Sequence, residues 1–358
     1  MDSGIEGTHF LGRRGRRVSQ AAATAVAAQL MAACGTAGPT QGEGGTSTGQ
    51  TAPASAAQRT QTSAATSDVA RSVDLGNGRS IHLECRGSGG PTVVLVAGLG
   101  ERADNWMHTN ANPSSPEGSV FSAVSGFTRV CAYDRPGTAT ATEAGLQPSR
   151  STPVASPATV ADSAADLDRL LTAAGESGPY VLVGHSLGGP IVRLYAAAHP
   201  EEVAGLVFDD ALSEDLGDGL TPEQVANFDK LNDPARSGRP PNSDLPMYAE
   251  AVVPLLRKAP VVTGVPTVIL TADHWPFTAE TIEAGRAAGT MPDYVTTEFT
   301  DALWAAQLKA QDTFAGKFPG AKHVTTTNAG HYIHLDNPQL VIASIRDVVD
   351  QVRAEPSP

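Results

Sequence analysis

Apolar residues along this chain come in two rhythms. Residues 92–96, 180–183, 203–208 and 266–271 are short, continuous apolar runs rich in β-branched side chains, the mark of strands buried on both faces. Residues 128–133 and 323–327 read as further strands, and 69–75 and 80–85 flank Gly76-Asn77-Gly78 as a hairpin. Helical spacing fills the intervals. Val160, Ala164, Leu167, Leu171 and Ala174 share one face before Gly175, and Val341, Ile345, Val348 and Val352 form a closing helix. Strands alternating with helices predict an α/β domain with a mostly parallel central sheet and helices on both faces. Residues 212–260 break the rhythm. The capping box Thr221-Pro222-Glu223-Gln224 and the break at Pro240-Pro241 predict a small helical cap inserted there. Residues 139–157 carry no periodic signal and are expected to be loop, and the long segment through Trp275 and Trp304 has no readable motif.

The predicted strand at 180–183 runs into Gly184-His185-Ser186-Leu187-Gly188 and then into a helical stretch with Pro190 in its first turn. A serine between strand and helix needs small residues two before and two after it, so that the two elements can approach each other. Its Oγ then stands clear of the backbone, and the Leu187 N–H faces the same space.

With these flanks, the chain from about Val69 onward resembles the α/β-hydrolases, specifically their serine esterase- and lipase-like members. Further motifs in the expected order carry the resemblance. Ala97-Gly98-Leu99-Gly100 stands where the family usually has His-Gly-x, with Ala97 in place of the His; the resemblance makes the Leu99 N–H one half of an oxyanion hole and Leu187 the other. Asp134-Arg135-Pro136-Gly137 matches a second family signature and is read as loop anchoring. Gly330-His331 matches the loop of the catalytic histidine. The implied fold is the α/β-hydrolase fold with a helical cap.

Serine needs a base, and the base needs a third group to orient it. The order Ser186, then Asp, then His331 is the one this fold uses. His334 competes with His331 as the base but is better placed to support the loop, and His185 reads as a pocket wall. For the acid, Asp210 after the 203–208 strand is favoured and Asp273 is the alternative; Asp209 is a structural neighbour. The expected chemistry is hydrolysis of a small-molecule carboxylic ester or lactone, without metal or cofactor. An acyltransferase, or a catalytically silent ligand-binding or surface protein, are the alternatives. A serine at the elbow excludes the aspartate-nucleophile chemistries of related dehalogenases and epoxide hydrolases. In the resembled fold the strands of Cys85 and Cys131 are neighbours, so a Cys85–Cys131 disulfide is expected if the chain is exported.

Composition changes the picture at one end. The chain has 358 residues and a formal net charge of −13, which supplies no basic stripe for nucleic acid. Arg13, Arg14, Arg16 and Arg17 nevertheless precede an Ala-rich stretch ending Leu30-Met31-Ala32-Ala33-Cys34. Residues 1–33 are therefore expected to be a signal peptide of lipoprotein type. Residues 34–68 are a flexible low-complexity linker, and 69–358 form the hydrolase domain. Lipidation at Cys34 is the one expected contact with a membrane, and an exported cell-envelope or secreted protein is the expected location.

Overall fold

The structure is a computed structural model that describes residues 68–142, 145–155, 158–233 and 248–354. The expected signal segment 1–33, Cys34, nearly all of the 34–68 linker and Pro240-Pro241 lie outside the described residues.

In chain order the strands are β1 (Val69–Gly76), β2 (Arg79–Arg86), β3 (Thr92–Val96), β4 (Val130–Tyr133), β5 (Ala139–Thr142), β6 (Gly145–Pro148), β7 (Tyr180–His185), β8 (Val203–Asp209), β9 (Thr267–Leu270) and β10 (Lys322–Val324). The helices are α1 (Val120–Val124), α2 (Val160–Ala174), α3 (Gly188–Ala198), α4 (Pro222–Leu231), α5 (Val253–Lys258), α6 (Ala279–Ala287), α7 (Thr297–Gly316), α8 (Ile333–Asp336) and α9 (Pro338–Ala354). An eight-stranded sheet runs β1-β2-β4-β3-β7-β8-β9-β10. It is antiparallel at β1/β2 and β2/β4 and parallel from β4 through to β10.

Alternation along the central strands feeds two cores. On β7, Leu182 packs with α2, α3 and α7 residues on one face, while Val181 and Val183 pack with α1 and α9 residues on the other. In α9, Val341, Ile345, Val348 and Val349 are wholly buried, each worth about 1.5–3 kcal/mol relative to exposure. Thr159 and Asp162 form a reciprocal capping box at the start of α2, and Gly175 closes that helix in the left-handed conformation at φ +75°. Thr221 and Gln224 do the same for α4 in the cap region.

Two stretches differ from the sequence reading. Residues 139–142 and 145–148 pair as the antiparallel β5/β6 ribbon rather than loop. This ribbon stands apart from the main sheet, so no buried face imposes an alternating pattern on it. The segment between β9 and β10 holds α6 and the 20-residue α7. Phe299, Leu303, Ala306, Ala310 and Phe314 do recur on the buried side of α7, but two alanines dilute the apolar signal.

Cys85 sits directly opposite Cys131 in the β2/β4 register, and the two are joined by a disulfide with Cα atoms 4.1 Å apart. The bridge closes a sequence separation of 46 residues, for which chain entropy suggests about 2–4 kcal/mol of stabilisation. Replacing both cysteines by serine is expected to lower the free energy of unfolding by about that amount, read by urea titration. Alkylation of the folded protein without reduction should leave both thiols unmodified in the mass spectrum; two adducts would contradict the bridge.

Candidate active site

The site begins with a steric problem solved at the end of β7. Ser186 has φ +49°, a conformation that costs a non-glycine residue about 1–3 kcal/mol. The surroundings hold it there. Its N–H donates to the Asp209 carbonyl at 3.2 Å, and its own carbonyl accepts from Gly189 N at 3.0 Å and Leu212 N at 2.9 Å. A Cβ on Gly184 would stand 2.8 Å from the Gly188 backbone, and one on Gly188 would stand 2.2 Å from the Val96 carbonyl oxygen. Both positions thus admit only glycine, and α3 starts close against β7 and β3.

Asp210 follows β8 at φ +42°. Its Oδ2 accepts a 2.6 Å hydrogen bond from Nδ1 of His331. Its Oδ1 accepts from Ala272 N at 3.1 Å and from Gln307 Nε2 at 3.4 Å. The bond to Asp210 assigns the His331 proton to Nδ1 and leaves Nε2 as an acceptor. Burial works against the imidazolium of His331, but the Asp210 hydrogen bond and charge, helped by Glu101 and Asp209, outweigh it and raise its pKa.

The alternative acid lies elsewhere. Asp273 accepts from Asn328 N and Ala329 N, each at 3.0 Å, and shapes the loop ahead of His331 rather than touching the ring. Behind the His331–Asp210 pair stands a second one. His334 Nδ1 meets Asp209 Oδ2 at 2.5 Å, with both side chains buried. Burial pushes the Asp209 carboxyl up to about 7, the adjacent Asp210 adding to it, and pushes His334 down to about 3. Trp106 lies against the His334 ring at 4.4 Å between centroids.

His185 is buried beside the serine. Its Nδ1 faces Glu101 Oε2 at 3.2 Å, and its Nε2 donates to the His331 carbonyl at 3.0 Å. His185, Asp209 and His334 bring ligating atoms within 4.8 Å of one another. All four imidazole nitrogens are already engaged, however, by Glu101, His331, Asp209 and Asn105. The trio therefore reads as a hydrogen-bond network that sets the His331 loop.

Ser186, Asp210 and His331 line one cavity of about 330 Å³. Leu99 also lines it, while the Leu187 side chain is buried. Neither the Leu99 nor the Leu187 N–H has a hydrogen-bond partner among the described residues. The lining also carries Phe228, Leu303 and the pair Trp275 and Trp304, stacked at 5.0 Å.

Sequence reasoning missed Glu101 and Gln307. Gln307 and Gln311 stand four apart in α7, and Gln311 bonds the Ala211 carbonyl at 2.6 Å. Two amides at that spacing on an otherwise apolar helix face were the available signal.

Comparison with known proteins fits this geometry. The description "alpha/beta hydrolase fold" belongs to the family that matches residues 91–259. Over 150 residues the chain is 37% identical to an uncharacterized protein of Schizosaccharomyces pombe, covering 37% of this chain and 26% of that protein. Over 131 residues it is 30% identical to a probable transporter of Hormonema carpetanum, covering 36% of this chain and 16% of that protein. The chain thus spans about a quarter or less of the length of these two relatives. A thermophilic esterase from Thermogutta terrifontis, of solved structure, aligns with a TM-score of 0.52 at 18% identity, over 80% of this chain and 99% of the esterase. From sheet order, elbow and cap region together, the chain has the α/β-hydrolase fold.

Proposed function

We propose that this protein is a serine hydrolase that cleaves carboxylic esters or lactones through an acyl-enzyme. One contact carries the proposal: the 2.6 Å bond from His331 to Asp210, in a cavity that also holds Ser186 on its elbow. With Nδ1 donating to Asp210, His331 Nε2 is free to take the Ser186 proton as Oγ attacks the substrate carbonyl. The carbonyl π electrons move onto oxygen, and the Leu99 and Leu187 N–H groups stabilise that oxyanion, typically by about 3 kcal/mol per donor. Collapse expels the alcohol with the proton from His331. Water, deprotonated by the same nitrogen, then releases the acid. The apolar, aromatic part of the cavity lining favours substrates with an apolar group, burial of which is worth about 25 cal/mol per Å².

We further propose export, with the chain tethered through lipid on Cys34. The basic stretch before an Ala-rich segment supports it, as does the Cys85–Cys131 bridge, because such bonds persist in oxidising compartments. Metabolic labelling with an alkyne fatty acid in a bacterial host should mark the full-length chain and fail to mark Cys34→Ser; equal labelling of both would contradict the tether.

Substitutions rank the three side chains. Ser186→Ala and Asp210→Asn are each expected to lower kcat by about 10⁴-fold or more, whereas Asp273→Asn should lose no more than severalfold. Steady-state hydrolysis of chromogenic esters reads the ranking, and a larger loss at Asp273 would move the acid there.

The pH profile follows from the direction of the His331 shift. The base must be neutral, and its raised pKa keeps it protonated to higher pH than an ordinary histidine. The acid limb of kcat/KM is therefore expected above pH 6.5, the ordinary histidine value, and should move down in Asp210→Asn. A wild-type limb below 6.5 would contradict the assignment.

A further inference from the structure

The Asp134-Arg135-Pro136-Gly137 motif follows β4, the parallel neighbour of β3. The Arg135 side chain is 1% exposed. Its guanidinium reaches the loop after β3, where Nη1 donates to the Ala97 carbonyl at 2.8 Å and Nη2 to the Gly98 carbonyl at 2.5 Å. Both are charge-assisted bonds made by a rigid planar fork, so two successive carbonyls are fixed in direction as well as distance.

The other end of the Gly98 residue is held by a carboxylate. Glu101 Oε2 accepts the Gly98 N–H at 2.8 Å, and the Glu101 N–H returns a 3.2 Å bond to the Gly98 carbonyl. Burial alone would raise the Glu101 carboxyl, but the contact with His185 and the Gly98 N–H bond outweigh it and draw its pKa down to about 2. The carboxylate is thus ionised across the working pH range. A Cβ on Gly98 would stand 2.8 Å from His185 Nδ1 and 2.9 Å from Glu101 Oε2, so glycine is what lets the clamp close.

The consequence lies one atom further on. The Gly98 carbonyl and the Leu99 N–H belong to one planar trans peptide and point in opposite directions. Drawing the carbonyl toward buried Arg135 turns the Leu99 N–H the other way. Leu99 lines the cavity that holds Ser186, and its N–H has no partner among the described residues. We infer that Arg135 and Glu101 are positioning residues, a buried clamp on the Gly98 peptide that aims the Leu99 N–H at the oxyanion. This rests on the serine-hydrolase reading and assigns part of the oxyanion hole to two side chains that act through the Gly98 peptide rather than on the oxyanion itself.

The test compares kinetics with the binding of two ketones. A trifluoromethyl ketone captures Ser186 as a hemiketal: the Oγ–C bond forms, the carbonyl π pair becomes the oxyanion, and the serine proton passes to His331. The matching methyl ketone binds in the same cavity as an uncharged ground-state mimic. In Arg135→Lys, which has one point charge for two carbonyls, kcat is expected to fall about 10–100-fold with KM within about twofold. Trifluoromethyl ketone affinity should weaken by the same factor, while methyl ketone affinity and the acid limb of kcat/KM stay put. Unchanged kcat, or equal weakening of both ketones, would overturn the clamp. Should Arg135→Lys not fold, the isosteric Glu101→Gln decides, with a loss of about tenfold in kcat expected and a loss under about twofold overturning the clamp. A wild type that neither hydrolyses esters nor binds the trifluoromethyl ketone would remove the hydrolase reading and the clamp together. Wild-type turnover with an unaffected Arg135→Lys would remove the clamp alone.

Discussion

Everything at the candidate site depends on how closely β3, β7 and α3 approach one another around Ser186. The serine occupies a left-handed backbone conformation, tolerated because Gly184 and Gly188 leave no side-chain atoms between strand and helix. That close approach has three effects at once. It lifts Oγ off the backbone, leaves the Leu187 N–H without a partner among the described residues, and sets α3 against the end of β3, from which the loop carrying Leu99 departs. A single methyl at Gly188 would collide with the Val96 carbonyl and separate all three.

Charge at the site is arranged in two pairs, one carboxylate of each from the last residue of β8 and the next, the histidines from the loop ahead of α8 and from α8 itself. Asp210 with His331 faces the cavity, and Asp209 with His334 lies buried behind it. The same residue types respond in opposite directions. At His331 the Asp210 bond and charge outweigh burial and favour the cation; at His334 burial wins and the ring stays neutral. The front pair is thereby suited to carrying a proton in and out. The rear pair, closed by Asn105 and Trp106, works as packing with fixed hydrogen bonds. His185 links the two, its Nε2 bonding the backbone of His331 while Glu101 faces its other nitrogen.

Much of this is legible in the sequence because backbone constraints leave strong residue signatures. The central strands are buried on both faces and so are continuously apolar, and the elbow demands glycine at fixed offsets. The β2/β4 pairing that sets Cys85 opposite Cys131 follows from the resemblance rather than from any local pattern. Long-range side-chain pairing is less legible. Asp209, Asp210 and Asp273 all lie at or just past the carboxyl ends of the neighbouring strands β8 and β9, and only the fold shows that Asp210 meets His331 while Asp273 binds backbone N–H groups. Arg135 is legible as a loop anchor but not in its targets, since the carbonyls it holds lie 37 and 38 residues away, and the spacing of Gln307 and Gln311 marks a polar pair without naming its partners. The β5/β6 ribbon escapes notice because it has no core face, and α7 because two alanines dilute its buried stripe.

The central claim is that Ser186 is a nucleophile activated by His331. Reaction of the folded protein with a fluorophosphonate tests it most directly, since phosphonylation requires an activated hydroxyl beside an oxyanion site and no knowledge of the substrate. Intact-mass and peptide mass spectrometry should show one adduct, on Ser186, formed rapidly at neutral pH and lost as His331 becomes protonated. A protein that stays unlabelled, or carries its adduct on another residue, would contradict the account.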